Sequence, residues 1–219
     1  MKLSKRLQAI YDLVDEKAIV GDIGCDHALL SCALVLNEKA SKVYACDINE
    51  EPLQQARKSI QYYKLEDQIE IIQCDGLDML PSDVDTIVIA GMGYETIKSI
   101  LDKHPEKLKG CNKIIIQSNR DVEKIRKYIS DHHYHIQSEQ CVFDLHYYQI
   151  IVFDCSNDSE LNKKELLFGR RMIKDNVFLQ MWFSNLKKYE SILGKLSEKN
   201  EKYQIIYDII NQIKEEIEV

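Results

Sequence analysis

Long apolar runs are missing from this 219-residue sequence. The longest runs, such as 114–116 and 150–153, are far too short to span a bilayer. The first sixteen residues have an amphipathic helical pattern and lack the apolar core and cleavage site of a signal peptide. We therefore expect no membrane association.

Cysteine pairs at metal-binding or redox spacing are missing as well. The seven cysteines form no CxxC motif, their number is odd, and several lie inside apolar runs. This pattern argues against a disulfide framework and against a zinc site. We expect reduced thiols, no bound metal and a cytoplasmic location.

Net positive charge is also lacking, since the formal charge is −7. Taken alone, this value argues against a nucleic-acid partner, but the distribution of charge matters more than the sum. Segment 163–188 carries seven basic and two acidic residues, an excess of five. The segment predicts phosphate contacts, although most charge runs are simply solvated faces. Its candidate contacts are Lys163, Lys164, Arg170, Arg171 and Lys174.

Strand and helix patterns alternate through the first two-thirds of the chain. Short runs rich in Val and Ile predict strands at 18–22, 42–47, 69–73, 86–90 and 113–117. Helices are predicted between them at 27–36, 50–63, 94–101 and 122–131. This βαβ rhythm predicts an α/β fold with a parallel sheet covered on both faces. Segments 136–144 and 147–154 follow closely and predict an antiparallel hairpin that completes the sheet.

The composition shifts at 156–159, a turn-rich stretch that predicts a linker. We therefore expect domains at 1–157 and 158–219. Beyond the linker, apolar residues recur at spacings of three and four on both sides of a polar turn near 197–201. The pattern predicts two helices packed as an antiparallel coiled-coil hairpin. A helical cap that only covers the core is the alternative.

Small and acidic residues follow each predicted parallel strand. They occur in DIGCDH (22–27), in CDIN (46–49), in CDG (74–76), in AGMG (90–93) and in QSN (117–119). Ligands of open parallel sheets bind at the carboxyl ends of the strands. We therefore expect one ligand site built from these five segments.

The chemistry of these segments indicates a nucleoside without phosphates. An acid at Asp47 can bind both hydroxyls of a ribose, Gly24 permits close backbone approach, and Asp75 can accept from an adenine amino group. The glycine loop contains no Lys or Arg and lacks the later glycines of a dinucleotide fingerprint. Asp26 would repel a pyrophosphate. S-adenosylmethionine, a cationic nucleoside, fits better than NAD.

The motifs DIGCDHALL, CDIN, CDGLDML and IAGMG together resemble the bacterial tRNA (adenine-22)-N1-methyltransferase family. LSKRL at 3–7, QSN at 117–119 and the pair Phe168-Gly169 also match its pattern, and the resemblance covers essentially the whole chain. It implies a Rossmann-like class I methyltransferase domain followed by a C-terminal helical, coiled-coil-like domain. It further implies methyl transfer from S-adenosylmethionine to N1 of an adenine in the D-loop region of tRNA.

The resemblance also implies roles for individual residues. Asp26 would face the target base, and Asn119 is a second catalytic candidate. Independently of the resemblance, an aromatic such as Tyr94 could stack on the base and offset the cost of its leaving the stack. The candidate cofactor contacts are Arg6, Asp22, Gly24, His27, Asp47, Ile48, Asp75, Gly76, Ala90, Gly91, Met92 and Gly93. The sequence departs from the family pattern at Ser31, Tyr94, Ser118 and Arg170.

The chemistry of N1 methylation explains why a carboxylate could be useful at position 26. Adenine N1 has a free lone pair, so no proton has to leave before it attacks, and the product is a cation. A carboxylate beside the base would stabilise the developing charge and could orient the base. Alternatively, Asp26 could cap the following helix, His27 could be structural, and Asn119 could cap the next helix. No D/N-P-P-Y/F motif is present, which counts against methylation of the exocyclic amine.

Three other functions remain open from the residues alone. A small-molecule methyltransferase would explain the acidic charge but would not need a basic helical appendage. A non-catalytic binding protein would have little reason to keep the strand-end acids. A nicotinamide enzyme is disfavoured by the glycine loop. No obligate protein partner is evident.

Overall fold

The structure, a computed structural model, describes residues 1–218. The amino-terminal unit, Met1–Met172, contains one seven-stranded sheet in the order β3-β2-β1-β4-β5-β7-β6. Its strands are β1 (Ala18–Ile23), β2 (Ala40–Asp47), β3 (Ile69–Gln73), β4 (Thr86–Met92), β5 (Lys113–Ser118), β6 (Tyr134–Asp144) and β7 (His146–Asn157). The first five strands are parallel, while β7 pairs antiparallel with β5 and with β6. The predicted α/β class is therefore confirmed.

The helices of this unit precede the first strand, connect the strands or follow the last strand. They are α1 (Lys5–Leu13), α2 (Leu29–Leu36), α3 (Glu50–Tyr63), α4 (Tyr94–Lys103), α5 (Pro105–Lys109), α6 (Val122–Asp131) and α7 (Lys163–Phe168). Two apolar clusters form the core, one including Ile10, Leu34 and Leu53 and the other including Ile97, Ile125 and Phe153. The strands supply residues to both clusters, as expected for a sheet buried on both faces.

A buried ion pair ties the end of this unit to its sheet. Arg126 on α6 donates from Nε to Glu139 Oε1 on β6 at 2.6 Å, and both side chains are almost fully buried. The other guanidinium nitrogens donate to the carbonyls of residues 166 and 167 and to Gln149 Oε1. Glu139 Oε2 accepts from the Arg171 backbone at 3.1 Å. The pair therefore fixes the segment that follows α7.

The second compact unit, Ile173–Val219, contains α8 (Asn176–Leu193) and α9 (Glu201–Glu216). Its buried apolar residues include Phe178, Trp182, Leu186, Ile210 and Ile213. Ion pairs join Lys174 to Glu216 and Glu190 to Lys214. The coiled-coil arrangement stays a prediction. So does the domain boundary at 157/158, whereas packing divides the chain after Met172.

None of the helices within residues 1–218 is both long enough and apolar enough to cross a membrane. All seven cysteines are free thiols, and six of them are buried.

Candidate active site

A cavity of about 830 Å³ opens at the carboxyl ends of the parallel strands, beside the neighbouring strands β1 and β4. This is the place where an open α/β sheet binds its ligand, because the chain connections diverge to opposite sides there. The cavity brings together twelve of the predicted cofactor and catalytic residues: Arg6, Asp22, Gly24, Asp26, His27, Asp47, Ile48, Asp75, Gly76, Ala90, Gly91 and Met92. Gly93 and Asn119 do not line it.

Asp22, near the end of β1, is the buried acid of the cavity. Its Oδ2 accepts a 2.6 Å hydrogen bond from the hydroxyl of Ser31. Ser31 is one of the residues that depart from the family pattern. Burial raises the pKa of Asp22 to about 6, because the charged form loses its hydration, and the hydrogen bond from Ser31 offsets part of the rise. An incoming cationic ligand would stabilise the ionised form.

The loop between β1 and α2 has an unusual backbone. Gly24, Asp26 and Ala28 all have positive φ, at 74°, 49° and 53°. The φ of Gly24 lies in the left-handed region that favours glycine, and a Cβ there would lie 2.2 Å from Met92 Cε, so the Met92 side chain would have to move. Left-handed Asp and Ala cost free energy, and such strain concentrates at functional sites.

Asp26 projects from this loop into solvent at the mouth of the cavity. Its side chain is 73% exposed, and its Oδ1 lies 3.6 Å from His27 Nε2. The alternative role as a helix cap is wrong, since the N-cap of α2 is Ala28, which makes no side-chain capping bond. The carboxylate is therefore available to a ligand.

The ends of β2 and β3 supply the next part of the lining. Asp47 Oδ1 accepts from the Asn49 backbone at 2.9 Å. Ile48 beside it is 56% exposed, an apolar surface within the cavity. Asp75 forms an ion pair with Lys103 on α4. Two acids and one apolar side chain thus stand at adjacent strand ends.

Gly91 lies in a β-bulge, where the pairing of β4 with β5 shifts between Ala90 and Met92. Its φ is 80°, and one side chain from β5 and one from the residue just after β5 hold both of its backbone groups. Gly91 N donates to Gln117 Oε1 at 3.1 Å, and Asn119 Nδ2 donates to Gly91 O at 2.6 Å. Asn119 Oδ1 also accepts from Gln117 Nε2. The geometry therefore gives Asn119 a positioning role at the bulge, and its catalytic role stays a prediction.

Arg6 reaches the cavity from α1 and is held from three sides. Its Nη1 donates to Gln117 Oε1 at 2.6 Å, and its guanidinium lies 5.6 Å from the Tyr148 ring centroid. Its backbone N–H donates to Asp144 Oδ2 at 3.1 Å. One arginine thus links α1, the bulge and the β6–β7 hairpin.

Tyr94 begins α4 outside the cavity lining. It is half-buried against the core, with Lys124 Nζ 5.5 Å from its ring centroid. Arg120 lies beside Gly93, since a Cβ on that glycine would be 3.3 Å from Arg120 Nε. Stacking of Tyr94 on the base stays a prediction. The two cations next to it were missed in the sequence, because they lie outside the basic segment.

The residues of the basic segment differ in how far their side chains are exposed. Lys163, Lys164 and Arg171 have exposed side chains. Arg170 instead donates to Glu165 Oε1 at 2.9 Å and to the Glu160 carbonyl at 2.7 Å, and it also pairs with Asp158. Its donors are used within the protein, so Arg170 is a structural residue rather than the predicted phosphate contact. Lys174 pairs with Glu216, and its contact with tRNA stays a prediction.

Several lining residues carry no sequence signal. Glu95, Thr96, Ser99 and Ile100 reach the cavity from α4. They lie within the sequence of a helix. The motif at the end of the preceding strand does not indicate which face of that helix turns toward the cavity. Gln117 is fully buried in β5 and was noted only as part of QSN.

The donor set fits S-adenosylmethionine. The described lining holds five carboxylates and one guanidinium: Asp22, Asp26, Asp47, Asp75, Glu95 and Arg6. Carboxylates suit hydroxyls, amino groups and a sulfonium, whereas they would repel a diphosphate. Arg6 can pair with the single carboxylate of the amino-acid tail.

The sheet order, the antiparallel final strand pair and this acid-lined cavity together define a class I methyltransferase. Solved structures agree. The Streptococcus pneumoniae protein Sp1610 in complex with S-adenosyl-L-methionine is 30% identical, with a TM-score of 0.90 over 99% of this chain and 100% of that one. M. capricolum TrmK in complex with S-adenosyl-homocysteine is 32% identical, with a TM-score of 0.88 over 100% and 99%.

Sequence comparison defines the family. The model for tRNA (adenine(22)-N(1))-methyltransferase matches residues 20–218. The Bacillus subtilis (strain 168) tRNA (adenine(22)-N(1))-methyltransferase is 33% identical over 207 residues, which cover 90% of this chain and 87% of that protein. This chain belongs to the tRNA (adenine(22)-N(1))-methyltransferase family.

Proposed function

We propose that this protein transfers the methyl group of S-adenosylmethionine to N1 of adenine 22 in tRNA. The observation that carries the proposal is the exposed carboxylate of Asp26 at the mouth of an acid-lined nucleoside cavity, in a chain of this family. Nothing in the site favours the small-molecule alternative.

Residues around the cavity bind the cofactor along its length. Asp47 accepts from the ribose hydroxyls, Ile48 packs against the adenine, and Asp75 accepts from the adenine amino group. Gly24 and Gly91 let the backbone approach closely, while Asp22 and Arg6 receive the amino and carboxylate groups of the tail. When bound, S-adenosylmethionine supplies an electrophilic methyl group on a sulfonium.

Asp26 then acts on the target adenine. Its carboxylate faces the base from the loop, where it accepts from the amino group and so turns N1 toward the methyl group. N1 attacks the methyl carbon with its free lone pair. The N–C bond forms as the methyl–sulfur bond breaks, so the positive charge passes from the sulfonium, which becomes a neutral thioether, to the base. The fixed negative charge of Asp26 stabilises that charge. No general base is required, so the exposed and polar setting of Asp26 suits its task.

Exposed cations bind the tRNA backbone. Lys163, Lys164 and Arg171 supply part of this surface, and Arg120 and Lys124 add charge close to Tyr94 and Gly93. Phosphate contacts provide most of the affinity for a nucleic acid without reading its sequence. A tRNA substrate and reduced thiols both fit the cytoplasm.

The test uses an unmodified tRNA transcript and labelled S-adenosylmethionine, with digestion and identification of the labelled nucleoside. We expect 1-methyladenosine from the wild-type transcript and no label in a matched transcript whose adenine 22 is replaced by guanine. Label in another nucleoside, or equal label in both transcripts, would overturn the proposal.

A further inference from the structure

The tip of the β6–β7 hairpin presents apolar side chains to solvent. A single residue, Leu145, joins the two strands, and it is 86% exposed. Phe143 beside it is 43% exposed, and its ring centroid lies 4.8 Å from that of Tyr147 across the hairpin. The tip is thus one exposed leucine above a pair of aromatic rings.

Backbone geometry makes a leucine at this turn unexpected. Leu145 has a φ of 62°, in the left-handed region that favours glycine or asparagine. The left-handed conformation of a bulky apolar residue costs free energy, and the exposed side chain gains no burial that would offset this cost. Such an outlier points to a function for the side chain itself.

The tip lies at the same edge of the sheet as the cavity. Because β7 runs antiparallel to β5, its pair Gln149–Ser118 falls at the carboxyl end of β5. Leu145 is four residues before Gln149, so it extends roughly 13 Å further along the strand direction, past that edge. The tip therefore projects on the side from which a base enters.

Arg6 connects the tip directly to the cavity. Its backbone donates to Asp144, next to Leu145, while its guanidinium lines the cavity and bonds to Gln117. The carboxylate of Asp144 also interacts with Ser4 and Lys5, which places an exposed cation beside the tip. An apolar tip flanked by a cation suits the bases and phosphates of an RNA strand.

Resting on the proposed function, we infer that Leu145 and the Phe143–Tyr147 pair pack against the bases that flank the target adenine once it has left its stack. An enzyme that acts on a base must move it out of the stack and into its pocket. Apolar wedges inserted at a base step commonly offset the loss of stacking. Leu145 is the wedge, and the two rings are the surface behind it.

The test compares wild type with Leu145→Asn. Asparagine tolerates the left-handed backbone, so this variant removes the apolar side chain without straining the turn. We expect kcat/KM for tRNA to fall about 10-fold or more, the size of a lost stacking contact, with the Kd of S-adenosylmethionine and the unfolding temperature unchanged. The loss should shrink on a tRNA whose target adenine is left unpaired by base changes.

Tyr62→Ala is the matched control. Tyr62 is 79% exposed at the end of α3, the helix between β2 and β3, and these strands lie at the other end of the strand order from β6. This variant should keep the wild-type kcat/KM. A Leu145→Asn variant as active as wild type on both tRNAs would overturn the inference alone. A wild-type protein that methylates no tRNA would overturn the proposed function and this inference with it.

Discussion

Asp22 shows how one residue can serve ligand binding at the expense of stability. It is buried near the end of β1, where Ser31 supplies hydrogen bonds to its side chain. A cationic ligand would relieve the cost of burying its charge. The same cost remains in the cofactor-free protein, where it can be measured.

Replacing Asp22 with Asn should stabilise the cofactor-free protein near neutral pH. Because burial raises the pKa of Asp22 to about 6, the folded state binds the proton more tightly than the unfolded chain does. The free energy of unfolding therefore rises as the pH falls from about 6 to about 4, and above pH 6 the full penalty is present. We expect Asp22→Asn to be more stable by up to about 3 kcal/mol at pH 7.5 and equal to wild type at pH 4.

Denaturant unfolding at the two pH values checks this prediction. The exposed Asp67→Asn serves as control and should show no such dependence on pH. A Asp22→Asn variant that is less stable than wild type at pH 7.5 would show that the Asp22 charge is well solvated or paired in the folded protein.

Residue roles could be predicted from the sequence where a motif and a strand end coincide. Asp22, Asp47 and Asp75 follow short apolar runs, so their convergence follows from parallel strands alone. The positioning role of Asn119 depends on a bulge that brings Gly91 O within 2.6 Å of its amide. The internal pairing of Arg170 depends on a distant Asp158. Neither tertiary contact leaves a local pattern.

At the scale of elements, both strands and helices could be predicted closely from the sequence. The predicted strand 69–73 and the predicted helices 50–63 and 122–131 agree with the structure residue for residue. Runs of Val and Ile bounded by polar residues have sharp ends. The five-residue helix α5 was missed, because one turn gives no helical periodicity. The ion pair of Arg126 and Glu139 was also missed, since each residue looks like an ordinary surface charge.

Breaking that ion pair should strongly destabilise the amino-terminal unit. Glu139→Ala leaves the Arg126 guanidinium buried without its counter-charge and removes the acceptor of the Arg171 backbone. We expect a loss of about 3–5 kcal/mol in the free energy of unfolding. Asp131→Ala, which breaks the exposed pair with Lys127, should cost less than about 0.5 kcal/mol.

Chemical denaturation of both variants measures the difference. Equal losses in the two variants would show that the buried pair contributes no more than a surface pair. A matched Glu139→Gln variant, which keeps an acceptor for Arg126, should fall between wild type and Glu139→Ala.

At the scale of the whole molecule, an acidic protein has to bind a polyanion. The formal charge is −7, yet segment 163–188 carries a local excess of basic residues, and Arg120 and Lys124 add exposed cations elsewhere. Local positive charge can bind phosphates even where the total is negative, because screening limits interactions to about 8 Å at physiological salt. The affinity for tRNA should therefore depend strongly on salt concentration.

Removing one phosphate contact should weaken that dependence. We expect Lys163→Ala to lower the slope of log Kd against log salt concentration by roughly 1, and Lys58→Ala, an exposed lysine on α3, to leave the slope unchanged. Binding titrations at several salt concentrations give both slopes. Identical slopes for Lys163→Ala and wild type would show that Lys163 makes no contact with the phosphates of tRNA.

The most direct test of the account concerns Asp26. Single-turnover methylation of tRNA by Asp26→Asn is compared with wild type, together with the Kd of S-adenosylmethionine. Asparagine keeps the size and tolerates the left-handed backbone but removes the charge. We predict a rate about 10²- to 10³-fold lower, with the cofactor Kd unchanged. A wild-type rate in Asp26→Asn would contradict the claim that a carboxylate at the cavity mouth stabilises the methylated base.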